Sequence, residues 1–135
     1  MTDSEPGIFH RRERAAQLLS FVGLKWGTIT PTDTDALIDF GGRAFVIVEV
    51  KYRDAPLPRG QELAFERAAD GWERGGIPTL VLAASHQVDT GDVIVADAEV
   101  KRVYWRGKWS RPRRPRTVGQ TVERFYAKYV AKRDT

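Results

Sequence analysis

Glu49 and Lys51, at the end of an apolar run, are the first residues in this 135-residue chain whose types and spacing could do chemistry. They close Ala44-Phe-Val-Ile-Val-Glu-Val-Lys51, a β-branched and aromatic run that reads as a strand apolar on both faces, as in the middle of a sheet. Residues two apart on a strand project from one face, so Glu49 and Lys51 share a face with Phe45 and Ile47. Charged groups leaving an apolar face are costly unless partnered. On its own, a Glu-x-Lys at a strand end is an ordinary ion pair. Here Asp33, Asp35 and Asp39 lie on the preceding segment, expected to pair with this strand, so carboxylates from two strands could converge on a hard divalent cation.

Convergence depends on register. Asp35 to Phe40 alternates into Gly41-Gly42, a hairpin signal. Opposed residues of an antiparallel pair share a face, so a plain two-residue Gly41-Gly42 loop would set Asp35 against Val48 and turn it away. A three-residue loop including Arg43, or an equivalent bulge, sets Asp35 against Glu49 and Asp33 against Lys51. The longer register is the one predicted.

The elements around this hairpin follow from periodicity. Ile8, Ala15, Leu19 and Val22 predict a helix over 8–22 that stops at Gly23, and a short strand is expected over Leu24–Thr30. Phe65, Ala68, Ala69 and Trp72 predict an amphipathic helix closed by Gly75-Gly76, followed by a buried strand from Ile77 to Ala84. Strand, helix and strand in that order make a parallel unit. Further strands are expected at Val93–Ala96 and Val100–Trp105, with a turn at Arg106-Gly107 before Trp109. Thr117 and Gln120 form a capping box for a last helix, whose apolar stripe is Val118, Val122, Phe125, Tyr126, Tyr129 and Val130. Arg124, Lys128 and Lys132 run along another face of it.

Composition narrows the class. With 41% hydrophobic and 30% charged residues, and only short apolar runs, the chain is neither disordered nor membrane-spanning. Met1-Thr-Asp-Ser-Glu-Pro lacks the basic start and apolar block of a secretory signal, which predicts a cytoplasmic protein with no membrane partner. The absence of cysteine removes disulfides and thiolate metal sites, so a bound metal must be held by oxygen, which favours Mg²⁺ or Mn²⁺. The net charge of +4 conceals a division: residues 1–100 carry 10 basic and 16 acidic side chains, and residues 101–135 carry 12 and 2. A basic tail after an acidic body suggests a polyanion partner. Within that tail, Arg111-Pro-Arg113-Arg114-Pro-Arg116 places four guanidiniums on a stiff segment that could follow a phosphate backbone. Arg124 and Lys128 are candidates to extend it, or form a plain solvated face. Trp105 and Trp109 could stack on bases, with packing against the sheet as the leading reading. His10 and His86 form no metal pair by spacing, and His86 reads as structural.

An Asp (Pro31-Thr-Asp-Thr-Asp35-Ala-Leu-Ile), a hairpin, a buried strand ending Glu49-Val-Lys51, a helix opened by Gly60-Gln61, and Gly75-Gly-Ile-Pro-Thr-Leu-Val-Leu together resemble the PD-(D/E)XK nuclease superfamily. The resemblance includes its small Holliday-junction-resolvase-like and VRR-type members and covers residues 8 to 85. It implies an α/β fold with a restriction-endonuclease-like core, a central mixed sheet flanked by helices. As one domain this divides into a core over about 8–105, a basic loop at 106–116 and a C-terminal helix at 117–133. It further implies that Asp35 and Glu49 bind Mg²⁺ or Mn²⁺, that Lys51 orients or activates the attacking water, and that Gln61 supports the site. Asp33 competes with Asp35 for the first ligand position. Glu13 corresponds to a first-helix glutamate of some branches, or is a solvated ion-pair partner. Phe65 stands where some branches carry a tyrosine, so that hydroxyl contact is missing. The implied activity is hydrolysis of DNA phosphodiester bonds by an endonuclease, selective for branched or forked DNA as in recombination and repair. A homodimer would follow from cutting two strands, its interface drawn from the last helix or the Trp-rich hairpin. The alternatives are a non-catalytic nucleic-acid-binding module of the same fold and a nuclease subunit that needs a partner.

Overall fold

The β-branched run ending Glu49-Val-Lys51 becomes one of five strands in a mixed sheet whose spatial order follows the chain. A computed structural model describes residues 17–131, which fall into two units dividing after Pro31. The second unit is a small α/β domain built from β1 (Ala36–Asp39), β2 (Phe45–Tyr52), α1 (Arg59–Arg74), β3 (Thr79–His86), β4 (Glu99–Trp105), β5 (Lys108–Ser110) and α2 (Val118–Tyr129). β2 and β3 run parallel around α1, and the remaining neighbours pair antiparallel.

Alternation along the strands divides the core between the two faces of the sheet. Ile47, Val81 and Tyr104 pack with Phe65 and Ala69 of α1. Val46, Val48, Leu80 and Leu82 face the other way, toward Val118 and Phe125 of α2. Leu82 is wholly buried, and truncating such a leucine to alanine costs about 2–5 kcal/mol.

Element ends follow local chemistry. α1 stops in a Schellman motif: the Ile77 N–H bonds the Trp72 carbonyl at 3.0 Å and the Gly76 N–H bonds the Glu73 carbonyl at 2.9 Å. Gly76 sits at φ +84°, a conformation glycine adopts without strain. Arg106 and Gly107 both have positive φ, the two-residue hairpin turn between β4 and β5. The capping box of α2 forms as expected, with the Gln120 N–H donating to Thr117 Oγ1 and the Thr117 N–H to Gln120 Oε1.

Four expectations change. Val93–Ala96 is not a strand: it pairs with none of the five, and Val95–Asp97 forms a 3₁₀ turn that leads directly into β4. Leu24–Thr30 makes only a bridge between Trp26 and Ile29, folded on itself with Gly27 at φ +64°. Of the helix expected over 8–22, residues 8–16 lie outside the described residues, and 17–22 are irregular. Leu18, Leu19 and Val22 are exposed there, so no buried face stabilises a helix. Finally, Tyr126 is exposed despite its place in the apolar stripe of α2, touching Phe40 at the rim with ring centroids 5.5 Å apart.

Candidate active site at the end of β2

The hairpin between β1 and β2 sets the site. The Arg43 N–H bonds the Phe40 carbonyl, closing a turn in which Gly41 and Gly42 have φ of +67° and +77°. The Phe40 N–H then bonds the Ala44 carbonyl, so Arg43 is an extra residue, a bulge after a two-residue turn. Asp39 Oδ1 holds the turn by accepting the Gly42 N–H at 2.6 Å. With that extra residue Ala36 lies opposite Val48, and the register continued by one position sets Asp35 opposite Glu49, as parity required.

One direct bond joins these two residues, and a second ties Asp35 to the β2 backbone. The Asp35 N–H donates to Glu49 Oε1 at 3.1 Å, and the Val50 N–H donates to Asp35 Oδ2 at 2.7 Å. Lys51 Nζ lies 3.1 Å from Glu49 Oε2, with the lysine side chain 29% exposed and the glutamate 6%. Glu49 is therefore a buried carboxylate, compensated by one backbone donor and one ammonium.

Gln61, in the first turn of α1, closes over the same end of the sheet. Its Nε2 donates to the Asp33 carbonyl at 2.9 Å, while its Oε1 is buried with no hydrogen-bond partner. Such an orphan acceptor costs about 1–3 kcal/mol and calls for a donor, a water or a cation. Asp33 thus enters through its backbone, and its carboxylate makes no hydrogen bond or ion pair with the described residues. Glu13 lies outside the described residues.

The row beside this cluster leaves space. Ala83 and Ser85 of β3 adjoin Glu49 and Lys51, and Arg102 of β4 lies opposite Ala83. These small residues floor a pocket of about 400 Å³ whose wall includes Lys51, Arg53, Lys101, Arg102 and Arg111, with Asp54 its one carboxylate. Sequence reasoning missed Arg53, Lys101 and Arg102. Arg102 shares the α1-side face with Tyr104 by alternation, while a bulge between it and Val100 leaves Lys101 unpaired in the ladder, a shift with no plain sequence signal.

Partners fix several of these cations. Arg102 Nη1 donates to Glu62 Oε2 at 2.7 Å, and its guanidinium lies 4.3 Å from the Trp109 ring centre. Arg102, and then Arg59, hold the Glu62 carboxyl below its ordinary range against the opposing effect of burial. At the pocket mouth, Tyr52 and Arg53 both donate to Asp89 Oδ1; the Tyr52 hydroxyl, and then Arg53, keep that carboxyl below its ordinary range.

The tryptophans pack. Trp109 lies against the α1-side core with its Nε1 donating to Glu66 at 2.7 Å, and Trp105 lies against the α2-side core with the Arg106 guanidinium 4.4 Å from its ring centre. Both tryptophans are half-buried in this way. His86 is structural, its Nδ1 accepting the Val88 N–H at 3.1 Å.

Among the described residues, no group of three or more His, Cys, Asp or Glu side chains is arranged to hold a metal ion. The donors available at the site are the carboxylates of Glu49 and Asp35 and the orphan Oε1 of Gln61. That set suits Mg²⁺ or Mn²⁺ in type and number, since magnesium keeps several waters and takes only one or two carboxylates. No helix among the described residues is long and apolar enough to cross a membrane. Compared with known proteins, the chain matches no family model, no curated protein and no solved structure.

Proposed function

We propose that the protein is a divalent-cation-dependent endonuclease that hydrolyses phosphodiester bonds in DNA, with branched or forked DNA as its substrate. One observation carries this reading: the bulged hairpin sets Asp35 opposite Glu49, which pairs with Lys51 at the wall of a cationic pocket, while Gln61, bonded to the neighbouring Asp33 carbonyl, keeps a buried Oε1 without a partner. Glu49, Asp35 and Gln61 Oε1 would hold Mg²⁺ or Mn²⁺, which when bound polarises a phosphate and lowers the pKa of a water. The chain's own residues supply the rest. Lys51 Nζ, fixed against Glu49, presents N–H groups to the attacking water or a phosphate oxygen. Arg102, held by Glu62 and Trp109, and Arg111 neutralise phosphate charge at the pocket wall.

The test is cleavage of a four-way junction, a fork and a linear duplex in Mg²⁺ or Mn²⁺, with Glu49→Gln and Lys51→Ala beside the wild type. Cleavage of a branched substrate is expected, with each substitution reducing it at least about a hundredfold. Equal cleavage by wild type and both variants would remove the site from the mechanism. A second reading, a non-catalytic nucleic-acid-binding module, is favoured by the bonds that Asp35 and Glu49 already make with Val50, Asp35 and Lys51. It predicts binding without cleavage in any metal. The expected homodimer belongs to the nuclease reading, and sedimentation of the wild type measures it.

A further inference from the structure

We infer that the chain carries a continuous cationic track that leads a single-stranded DNA tail away from the Glu49–Lys51 site, around the start of β4 and onto α2 on the opposite face of the sheet. The inference deepens the nuclease reading, and rests on it only for placing the cleaved bond at the Glu49 end.

The track is visible as a succession of depressions that share walls. The pocket beside Lys51 has Lys101 and Arg111 in common with a second depression, which runs along Pro112, Arg113, Arg114 and Pro115. Arg114 and Pro115 recur in a third, which continues to Gln120 and Arg124. Arg116 and Arg124 recur in a fourth, of about 650 Å³, that ends at Lys128. The carboxylates along this route are Asp54, Glu99 and Glu123, and Glu99 is occupied by Lys101 at 3.1 Å.

The arginine segment bridges the two faces because its far end is tied to the sheet. The Val100 N–H bonds the Arg116 carbonyl and the Val118 N–H bonds the Ala98 carbonyl, both at 2.9 Å, beyond the stretch of β4 that β5 covers. Proline at 112 and 115 keeps the intervening backbone from pairing. Arg111, Arg113, Arg114 and Arg124 are exposed and make no ion pair with the described residues, whereas Arg53 and Arg102 are each paired. The unpaired guanidiniums lie along the crossing.

This path selects the form of the ligand. Duplex DNA has a persistence length of about 150 base pairs, so it cannot turn around a domain with a radius of gyration of about 13 Å. A single strand can. The occupant is therefore an unpaired tail or flap, with duplex confined to the pocket end.

The experiment is equilibrium binding by fluorescence anisotropy in EDTA, so that no cleavage is needed. A blunt duplex is compared with the same duplex bearing an oligo-dT tail of about ten nucleotides. For the wild type the tail should strengthen binding about tenfold or more at low salt. Arg124→Ala/Lys128→Ala should remove most of that gain, lower the salt slope for the tailed duplex by about 1.4, and leave blunt-duplex binding within about twofold. Arg67 and Arg74, exposed on α1 and lining none of these depressions, provide the charge control, and their double alanine variant should keep the gain. Equal binding of blunt and tailed duplex, an undiminished gain in the Arg124/Lys128 variant, or an equal loss in the Arg67/Arg74 variant would each overturn the track. A tail-dependent gain in a protein that cleaves nothing in Mg²⁺ or Mn²⁺ would support the track and refute the nuclease reading. Cleavage with no tail-dependent gain would do the reverse.

Discussion

Replacing Glu62 by Gln should destabilise the protein at neutral pH and leave it unchanged in acid. Glu62 lies in the first turn of α1 with its side chain 11% exposed, and Arg102, 35% exposed, donates to it at 2.7 Å. A hydrogen bond to a charged group is worth about 1.5–3 kcal/mol, and the exposure of Arg102 screens this toward its lower end, about 1.5 kcal/mol. For a domain near a hundred residues that lowers Tm by roughly 6–12 °C. The pH dependence follows from linkage. Arg102 and Arg59 depress the folded-state pKa of Glu62 below its ordinary 4.5, so the stabilisation is fully present above about 4.5 and is lost as pH falls through the folded value. Thermal melts followed by circular dichroism, from about pH 7 down to about pH 3, should show the gap between wild type and Glu62→Gln closing at the acid end. The exposed Glu123, which makes no ion pair with the described residues, supplies a control whose glutamine variant should stay close to wild type throughout. A gap that persists unchanged in acid would show that packing, and not the charge on Glu62, holds this part of α1, and would refute the account of how Arg102 is positioned.

Tyr104 donates to Asp70 at 2.7 Å, and burial, reinforced by that carboxylate, pushes its phenol up to about 12, so ultraviolet titration should find a tyrosine still protonated when exposed ones have ionised. Tyr104→Phe should remove that late step and cost about 1 kcal/mol in urea unfolding. Thr117→Ala breaks the capping box of α2 and should lower stability by about 1 kcal/mol, with a Ser replacement restoring most of it. Gly42→Val places a β-branched residue at φ +77° with no atom crowding its Cβ, so the cost is backbone strain alone, about 1–3 kcal/mol by chemical denaturation.

Much of the site could be read before any coordinates, because period-two alternation and loop parity are strict rules. They put Glu49 and Lys51 on one face, and the requirement for an extra hairpin residue was met by Arg43. The boundaries of α1 and the capping box of α2 were legible because glycine, proline and Thr-x-x-Gln act locally. What depends on partners was not legible. Val93–Ala96 has β-branched residues but pairs with no strand of the sheet, and Leu19 and Val22 have helical spacing without a buried face. Lys101 escaped because the β4 bulge takes it out of the ladder, and nothing in Glu99-Val-Lys-Arg marks that bulge. The basic tail was visible as composition, while its course from one face of the sheet to the other depends on backbone bonds at Ala98 and Val100.

The bond from the Val50 N–H to Asp35 Oδ2 couples two equilibria. β1 begins only at Ala36, so the Asp35 carboxylate stands in for the carbonyl that a longer edge strand would have offered. Any ligand that draws this carboxylate away must release the Val50 amide, and a carboxylate kept on the amide is withheld from the ligand. The last rung of the ladder thus acts as an internal competitor at the site. A ligand that engaged Asp35 this way would spend part of its affinity opening the end of the sheet, and the backbone amide of Val50 would register the engagement.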